Sequence, residues 1–266
     1  METIKKKGVR SVFTVKEKMF LTPHYIRIVF AMSDQQTELF KNVMIGDHNK
    51  IFLPVNGTND IVFPDEHTTN KESLSPVRTY TTQYINYKEK ELFVDFVAHG
   101  DNGPASGWAI KAKAGDSLGI AMKESSRTIL RDADKYLLIG DSTAIPVIGA
   151  MLEQLPEGVE ADVILEVFGA EDEMFLSSKA NLSIKWVHNP YPEKGSNLAE
   201  IVRKRILPTG NRFVFAAAEF SIIKNLRNYF KQEQNWLSSE YSAISYWKKG
   251  ESEDQSSIQR KEERQN

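Results

Sequence analysis

The residues able to do chemistry concentrate in one stretch, Arg78 to Asp116. It opens with Arg78-Thr79-Tyr80-Thr81, which supplies a cation for a phosphate, a flat ring for stacking and hydroxyls to hydrogen-bond a heterocycle. Glu91 to Gly100 follows as an alternating strand, with Leu92, Val94, Phe96 and Ala98 on one face and Asp95 and His99 among the alternates. Next come Asn102-Gly103-Pro104-Ala105-Ser106-Gly107-Trp108-Ala109, a turn running into a short helical pattern from Ala105 to Ala112. Ser106, or the turn just before it, is placed to cap that helix. A helix start leaves backbone N–H groups without intrahelical partners and carries the positive end of the helix dipole, which suits a pyrophosphate. Together these groups point to a flavin nucleotide.

The elements that must hold them fall into two kinds. Val9 to Met32 alternates as strands broken at Thr22-Pro23, and a further strand is expected over Lys50–Pro54. Asn56 to Ser75 is polar and aperiodic, so a long loop or extended hairpin is expected there. Short strands with Gly/Pro punctuation and one short helix predict a small antiparallel β-barrel through about residue 130. From Lys135 the pattern changes. Tyr136-Leu137-Leu138-Ile139-Gly140 is a continuous apolar run, as in a buried parallel strand. Strands over Ala161–Phe168, Ser183–Val187, Arg212–Ala217 and Tyr241–Trp247 then alternate with helices through Leu155, over Leu198–Arg205 and over Phe220–Glu233. That alternation predicts an α/β layer on a parallel sheet. The expected domains are residues 1–131 (barrel) and 132–250 (α/β), with 251–266 a polar tail lacking structure.

Composition narrows the function classes. The 266 residues carry a net charge of -2 and no cysteine. Disulfides, thiolate zinc, iron–sulfur clusters and a cysteine nucleophile are thereby excluded, and no basic surface points to nucleic acid. Met1 to Lys7 precede no apolar segment of a secretory signal, and no apolar run approaches membrane-spanning length, so a cytoplasmic location is expected. His24, His48, His67 and His188 have no metal-ligand spacing, and no Gly-x-Ser-x-Gly supports a hydrolase. Trp186 and Trp236 are read as packing groups. Asp141-Ser142-Thr143-Ala144 sits where a strand end meets a helix start, the ligand face of an open α/β sheet, but from these residues alone a helix cap by Asp141 or Ser142 is the favoured reading. No Gly-x-Gly-x-x-Gly follows any strand.

The order and spacing of Arg-x-Tyr-Thr, Asp95-Phe96-Val97-Ala98-His99-Gly100, Gly-Pro-Ala-x-x-Trp-Ala and Gly115-Asp116 resemble the FAD-binding half of the siderophore-interacting proteins, flavin-dependent ferric-siderophore reductases of the ferredoxin-reductase superfamily. The resemblance continues through Gly140-Asp141-Ser142-Thr143-Ala144-Ile145-Pro146, Phe213 to Glu219 and Tyr246-Trp247-Lys248-Lys249-Gly250, and covers about residues 9–250. It departs at Gln83, where a second arginine is usual, at Ala121-Met122-Lys123-Glu124, where a Gly-Pro-Gly-like turn is usual, and at Ala218, which adds a methyl where a nicotinamide would approach.

The resemblance implies an FAD-binding β-barrel followed by an NAD(P)H-binding α/β domain. Reduction of a ferric siderophore would release ferrous iron, with electrons from NADH, NADPH or ferredoxin. On that reading Arg78 neutralises a flavin phosphate, Tyr80 stacks on the isoalloxazine and Thr81 bonds near N5, so Tyr80 and Thr81 are the catalytic candidates. Thr79, Asp95, Val97, His99 and Gly100 frame the flavin, while Gly103, Pro104, Ala105, Ser106 and Trp108 hold the pyrophosphate. Asp141, Thr143 and Ala144 complete the cofactor set, Glu219 marks the NAD(P)H side, and Lys50 and Lys248 are substrate candidates for an anionic chelate. Two other functions stay open: an NAD(P)H–flavin or ferredoxin reductase with another soluble acceptor, and a non-enzymatic siderophore carrier.

Overall fold

The computed structural model describes residues 8–55, 58–65, 73–100, 103–124 and 129–250. The chain divides into two compact units, one through Ile129 and one from Leu130. The expected tail over 251–266, together with His67 and part of the 56–75 loop, lies outside the described residues.

The first unit is a closed barrel in the order β1-β2-β5-β4-β3-β6, every neighbouring pair antiparallel. The strands are β1 (Gly8–Thr22), β2 (Tyr25–Ala31), β3 (His48–Phe52), β4 (Val77–Asn86), β5 (Glu91–Val97) and β6 (Ser117–Lys123). Side chains alternate across a strand, so β2 and β5 each turn every second residue inward. Ile26, Ile28 and Phe30 meet Leu92, Val94 and Phe96 in a fully buried interior. β3 begins two residues before the expected Lys50 and ends at Phe52, because its ladder with β4 starts at the His48–Thr81 pair. Lys50 therefore sits in mid-strand. A helix α1 (Asp34–Phe40) was not anticipated; Ser33 and Gln36 form a reciprocal capping box, and Phe40 packs edge-on to Phe13.

The second unit is a five-stranded parallel sheet ordered β11-β10-β7-β8-β9. Its strands are β7 (Lys135–Asp141), β8 (Glu160–Val167), β9 (Asn181–His188), β10 (Arg212–Glu219) and β11 (Tyr241–Trp247). Between the barrel's β5 and β6 runs α2 (Pro104–Lys111); the α/β unit contributes α3 (Ile145–Gln154), α4 (Leu198–Arg203) and α5 (Phe220–Asn228). The expected long final helix stops at Asn228, and Tyr229–Glu233 continues with wider, π-type turns. Leu137, Ile139, Val214 and Ala216 cover one sheet face against Leu198, Val202, Ile222, Ile223 and Leu226 of α4 and α5. Trp236 stacks on Phe230 in the same core, with centroids 5.0 Å apart.

Gly140, last but one in β7, is required by packing. A Cβ there would stand 2.4 Å from the Ala144 methyl and 3.1 Å from the Ala217 carbonyl oxygen. Its absence lets the turn after β7 fold tightly back over the sheet.

Candidate functional site

In the barrel unit the site is built where β5 meets α2. Beyond Val97 the chain turns at Gly100, whose φ of 94° is left-handed backbone that glycine adopts without strain. Ser106 accepts a hydrogen bond from the His99 amide at 3.1 Å and donates to the Gly100 carbonyl at 2.9 Å. It is buried, and it fastens the strand end to the first helical turn. The N-cap is Gly103, in the turn just before Ser106; its lack of a side chain leaves the helix start with no capping oxygen. Pro104 occupies the first turn, no acidic residue lies there, and Lys111 sits in the last turn. With Gly107 bonded back to Gly103, the amides of Ala105 and Ser106 have no intrahelical acceptor. The His99 ring lies over Gly103, where a Cβ would come within 2.6 Å of its Cε1. Sequence and packing therefore converge on a bare, positively polarised helix start.

β4 carries Arg78, Thr79, Tyr80 and Thr81. Tyr80 is half-buried and packs on Phe96 with centroids 4.6 Å apart. Arg78 donates to the neighbouring Val77 carbonyl at 2.7 Å, and Thr79 accepts from Lys50 Nζ across the β3–β4 ladder. Thr81 is buried. Two positions further on, Gln83 holds a buried amide oxygen with no hydrogen-bond partner among the described residues. An orphaned buried acceptor costs stability unless something else supplies a donor.

Two residues expected to line this site are committed elsewhere. Asp95 is a buried carboxylate held bidentately by Arg27, with both bonds at 2.8 Å across the β2–β5 ladder. Burial raises its pKa while the Arg27 bonds pull it back, and the adjacent carboxylate helps drive the buried Tyr25 phenol well above its usual range. Among the described residues the Tyr25 hydroxyl has no partner in good hydrogen-bond geometry. Trp108 stacks parallel to Phe30 and tilts against Phe96, so its ring closes the barrel core.

In the α/β unit, Asp141 is the organising group at the carboxyl ends of the strands. Its carboxylate accepts from Thr143 N (2.9 Å), Thr143 Oγ1 (2.5 Å), Glu219 N (3.0 Å) and Trp247 Nε1 (2.8 Å). Burial raises its pKa against the pull of Thr143 and Trp247. Four protein donors thus meet on the Asp141 carboxylate, which ties together β7, β10 and β11 at this edge. Ala144 is fully buried under Gly140.

Glu219 is likewise a cap: its carboxylate accepts from Ser221 N (2.5 Å) and Ser221 Oγ at the start of α5, and from Lys249 N at 3.3 Å. Ala218 is fully buried in the core cluster that also holds Ile222 and Ile223. Lys248 Nζ lies over the Phe220 ring at 5.0 Å.

Sequence reading missed Trp247 and Glu166 as organisers. Glu166 is a buried acid near the end of the apolar run Val163-Ile164-Leu165, and a charge inside such a run was the available signal. Its pKa is raised by burial, opposed by bonds from Ser196 and Asn189.

A closed antiparallel barrel with a bare helix start, followed by a parallel α/β sheet, defines the ferredoxin-reductase class of fold. Within it, the family model described as "Siderophore-interacting FAD-binding domain" matches residues 14–125, and the one described as "Siderophore-interacting protein" matches 133–250. The chain belongs to the siderophore-interacting protein family. It is similar to the ferric vibriobactin reductase ViuB of Vibrio cholerae, 29% identical over 79% of each chain. It is also similar to the NADPH-dependent ferric-chelate reductase of Escherichia coli, 27% identical over 76% of this chain and 79% of that one. The crystal structure of the siderophore-interacting protein SipS from Aeromonas hydrophila superposes with a TM-score of 0.83 at 28% identity, covering 97% of this chain and 99% of that one. Among the described residues no helix is long and apolar enough to cross a membrane.

Proposed function

We propose that this chain binds FAD on its barrel unit and reduces ferric iron held by a siderophore, releasing ferrous iron, with electrons from NADH, NADPH or ferredoxin. The observation that carries this reading is the helix start at Gly103, bare of any side-chain cap and of first-turn acids, just beyond the end of β5, the strand that pairs with the one bearing Arg78. That donor set fits a diphosphate. The similarity to a ferric vibriobactin reductase and to an NADPH-dependent ferric-chelate reductase supports the substrate class and the reaction.

Bound flavin supplies the exchange between a two-electron hydride donor and a one-electron iron acceptor. The chain's own residues bind and orient it. Arg78 and the amides of Ala105 and Ser106 meet the phosphates, the Tyr80 ring offers a stacking face, and Thr81 contributes a hydroxyl nearby. Thr79, Val97, His99 and Gly100 frame the same region, with Asp95 acting one step back by fixing Arg27 and β5. Thr143 and Glu219 serve the nucleotide side through the backbone they fix. Lys50 and Lys248 are proposed to attract an anionic chelate, and the reaction is placed in the cytoplasm.

The test is direct. Purified protein should be yellow, release FAD on denaturation, and reduce a ferric siderophore when given NADPH, NADH or reduced ferredoxin. Flavin turnover with free flavin or cytochrome but not with ferric siderophore would assign a general reductase instead. Siderophore binding without flavin after reconstitution would assign a carrier.

A further inference from the structure

β3 turns Asn49 and Ile51 toward the barrel interior, and Asn49, only 1% exposed, places an amide where strand alternation calls for an apolar side chain. Its Nδ2 donates to Thr82 Oγ1 on β4 at 2.8 Å. The Thr82 hydroxyl donates in turn to Met122 Sδ on β6 at 3.3 Å. Thr82 is fully buried, and Met122 belongs to the barrel core. The three side chains therefore link β4, β3 and β6, which adjoin in the barrel. Among the described residues Asn49 Oδ1 meets no hydrogen-bond donor.

A half-satisfied amide in a closed apolar interior costs stability that a leucine of the same branched outline would not, so packing alone does not account for Asn49. The strand register shows what the pair holds. Asn49 stands directly opposite Tyr80, and His48 opposite Thr81 closes the β3–β4 ladder. At Thr82 the strand β4 changes partners. Its amide donates to the Asp47 carbonyl at 3.2 Å, its carbonyl accepts from Gly46 N at 2.9 Å, and pairing with β5 starts opposite Val94. The ladder then slips at Gln83, and such an irregularity leaves local twist and register loosely specified. On the other face of β4, Lys50 Nζ donates to Thr79 Oγ1. Side-chain bonds from β3 thus bracket Tyr80 and Thr81, one on each face of the strand.

We propose that Asn49 is a positioning residue, whose bond to Thr82 fixes β4 so that Tyr80 and Thr81 meet the flavin in one geometry. It touches no ligand and acts from the barrel interior, through the strand. This rests on the reading that Tyr80 and Thr81 face FAD, and it adds an interior clamp that no sequence motif marks.

The experiment compares full-length wild type with two variants. Asn49→Leu/Thr82→Val makes both partners apolar at nearly constant shape, and Thr82→Ser keeps the hydroxyl while losing a buried methyl. Four quantities are read: Tm of the FAD-free protein, FAD affinity by flavin fluorescence, the visible flavin absorption band, and amide hydrogen exchange over residues 78–82 in the FAD-free protein. The double variant should melt at or above the wild-type Tm, because removing both partners of a buried pair is close to neutral. It should bind FAD about fivefold more weakly, the equivalent of one neutral hydrogen bond, and shift the visible band. Exchange should quicken over 78–82 and not elsewhere. Thr82→Ser should show the opposite pattern, a lower Tm with wild-type FAD affinity and spectrum. A double variant with wild-type affinity and an unshifted band overturns the proposal. So does one that melts well below wild type or fails to fold, since the pair would then be a stability element. If wild type takes up no FAD on reconstitution, the cofactor reading fails and the exchange data decide the clamp. Faster exchange confined to 78–82 keeps it, and unchanged or uniformly faster exchange removes it.

Discussion

Replacing Asp141 by Asn is the sharpest probe of the α/β edge, because it keeps the shape and removes the charge and one acceptor. The carboxylate accepts four hydrogen bonds, two from Thr143, one from Glu219 N and one from Trp247 Nε1. An Asn oxygen kept on Thr143 turns its NH2 group toward two donors, and both remaining bonds are lost. A hydrogen bond to a charged acceptor contributes about 1.5–3 kcal/mol, and removing a buried charge returns part of that. The net loss should be about 1–3 kcal/mol at neutral pH, or a fall in Tm of roughly 3–10 °C.

The pH dependence carries a sign. Because burial holds the folded Asp141 pKa above its ordinary value, the folded state retains a proton that the unfolded chain has released. The stability tied to it is fully present below the ordinary aspartate value, about 3.9, and is lost as pH rises through the raised folded pKa. Asn does not titrate, so the margin of wild type over Asp141→Asn must widen on acidification. Asp95 and Glu166, also raised by burial, titrate in both proteins. Urea unfolding followed by far-ultraviolet circular dichroism at several pH values measures the margin. A loss under about 0.5 kcal/mol at neutral pH, the range of an ordinary surface substitution, would refute Asp141 as the clamp of this edge. A margin that narrows in acid would refute burial as the dominant influence on its proton.

Ser106→Ala should cost about 1 kcal/mol in stability, because His99 and Gly100 are exposed and water can replace the lost hydroxyl; a much larger fall in FAD retention than in Tm is expected, and retention equal to wild type would deny the turn a role. Gly140→Ala should destabilise by about 1–3 kcal/mol, since the new methyl meets the Ala217 carbonyl oxygen at 3.1 Å and Ala144 at 2.4 Å; an unchanged urea midpoint would show that the turn yields freely. Arg78→Ala should weaken FAD by about 1.5–3 kcal/mol in dilution experiments with little change in the apoprotein's melting, as a charge-assisted bond predicts.

The fold was legible where one period dominated. Leu92, Val94 and Phe96 face the barrel interior as their alternation required, and the unbroken run Tyr136 to Ile139 is a strand buried on both faces. α1 was written in the sequence as well: Ser33 and Gln36 have capping-box spacing just before the apolar Leu39-Phe40. It was overlooked because Asp34-Gln35-Gln36-Thr37-Glu38 is polar, and only contact with Phe13 and the bonds from Gln36 to Ser11 and Val12 make the short helix worthwhile. The early end of α5 at Asn228 was not legible, since the wider turns that follow depend on Phe230 reaching Trp236 across the core.

The candidate site divides differently, and the division has a physical cause. Backbone features survive in sequence: a glycine without a side chain, a proline without an N–H and a serine at fixed offsets bring the bare helix start to the end of β5. Side-chain assignments do not survive in the same way, because whether a carboxylate meets a ligand or the protein depends on donors that arrive from distant strands. Asp95 is met by Arg27 from β2, and Asp141 by Trp247 from the last strand, 106 positions away. Neither partner stands near its acid in sequence, so the Arg27 pair was not legible, and for Asp141 only the local cap on Thr143 was. Tyr191 illustrates the converse. Its exposure and its lysine, Lys194, are local, but the Glu166 carboxylate that bonds Asn189 and Ser196 on either side of it comes from β8. Polar residues in such a fold are therefore best read as ligand contacts only after the protein's own donors have been counted.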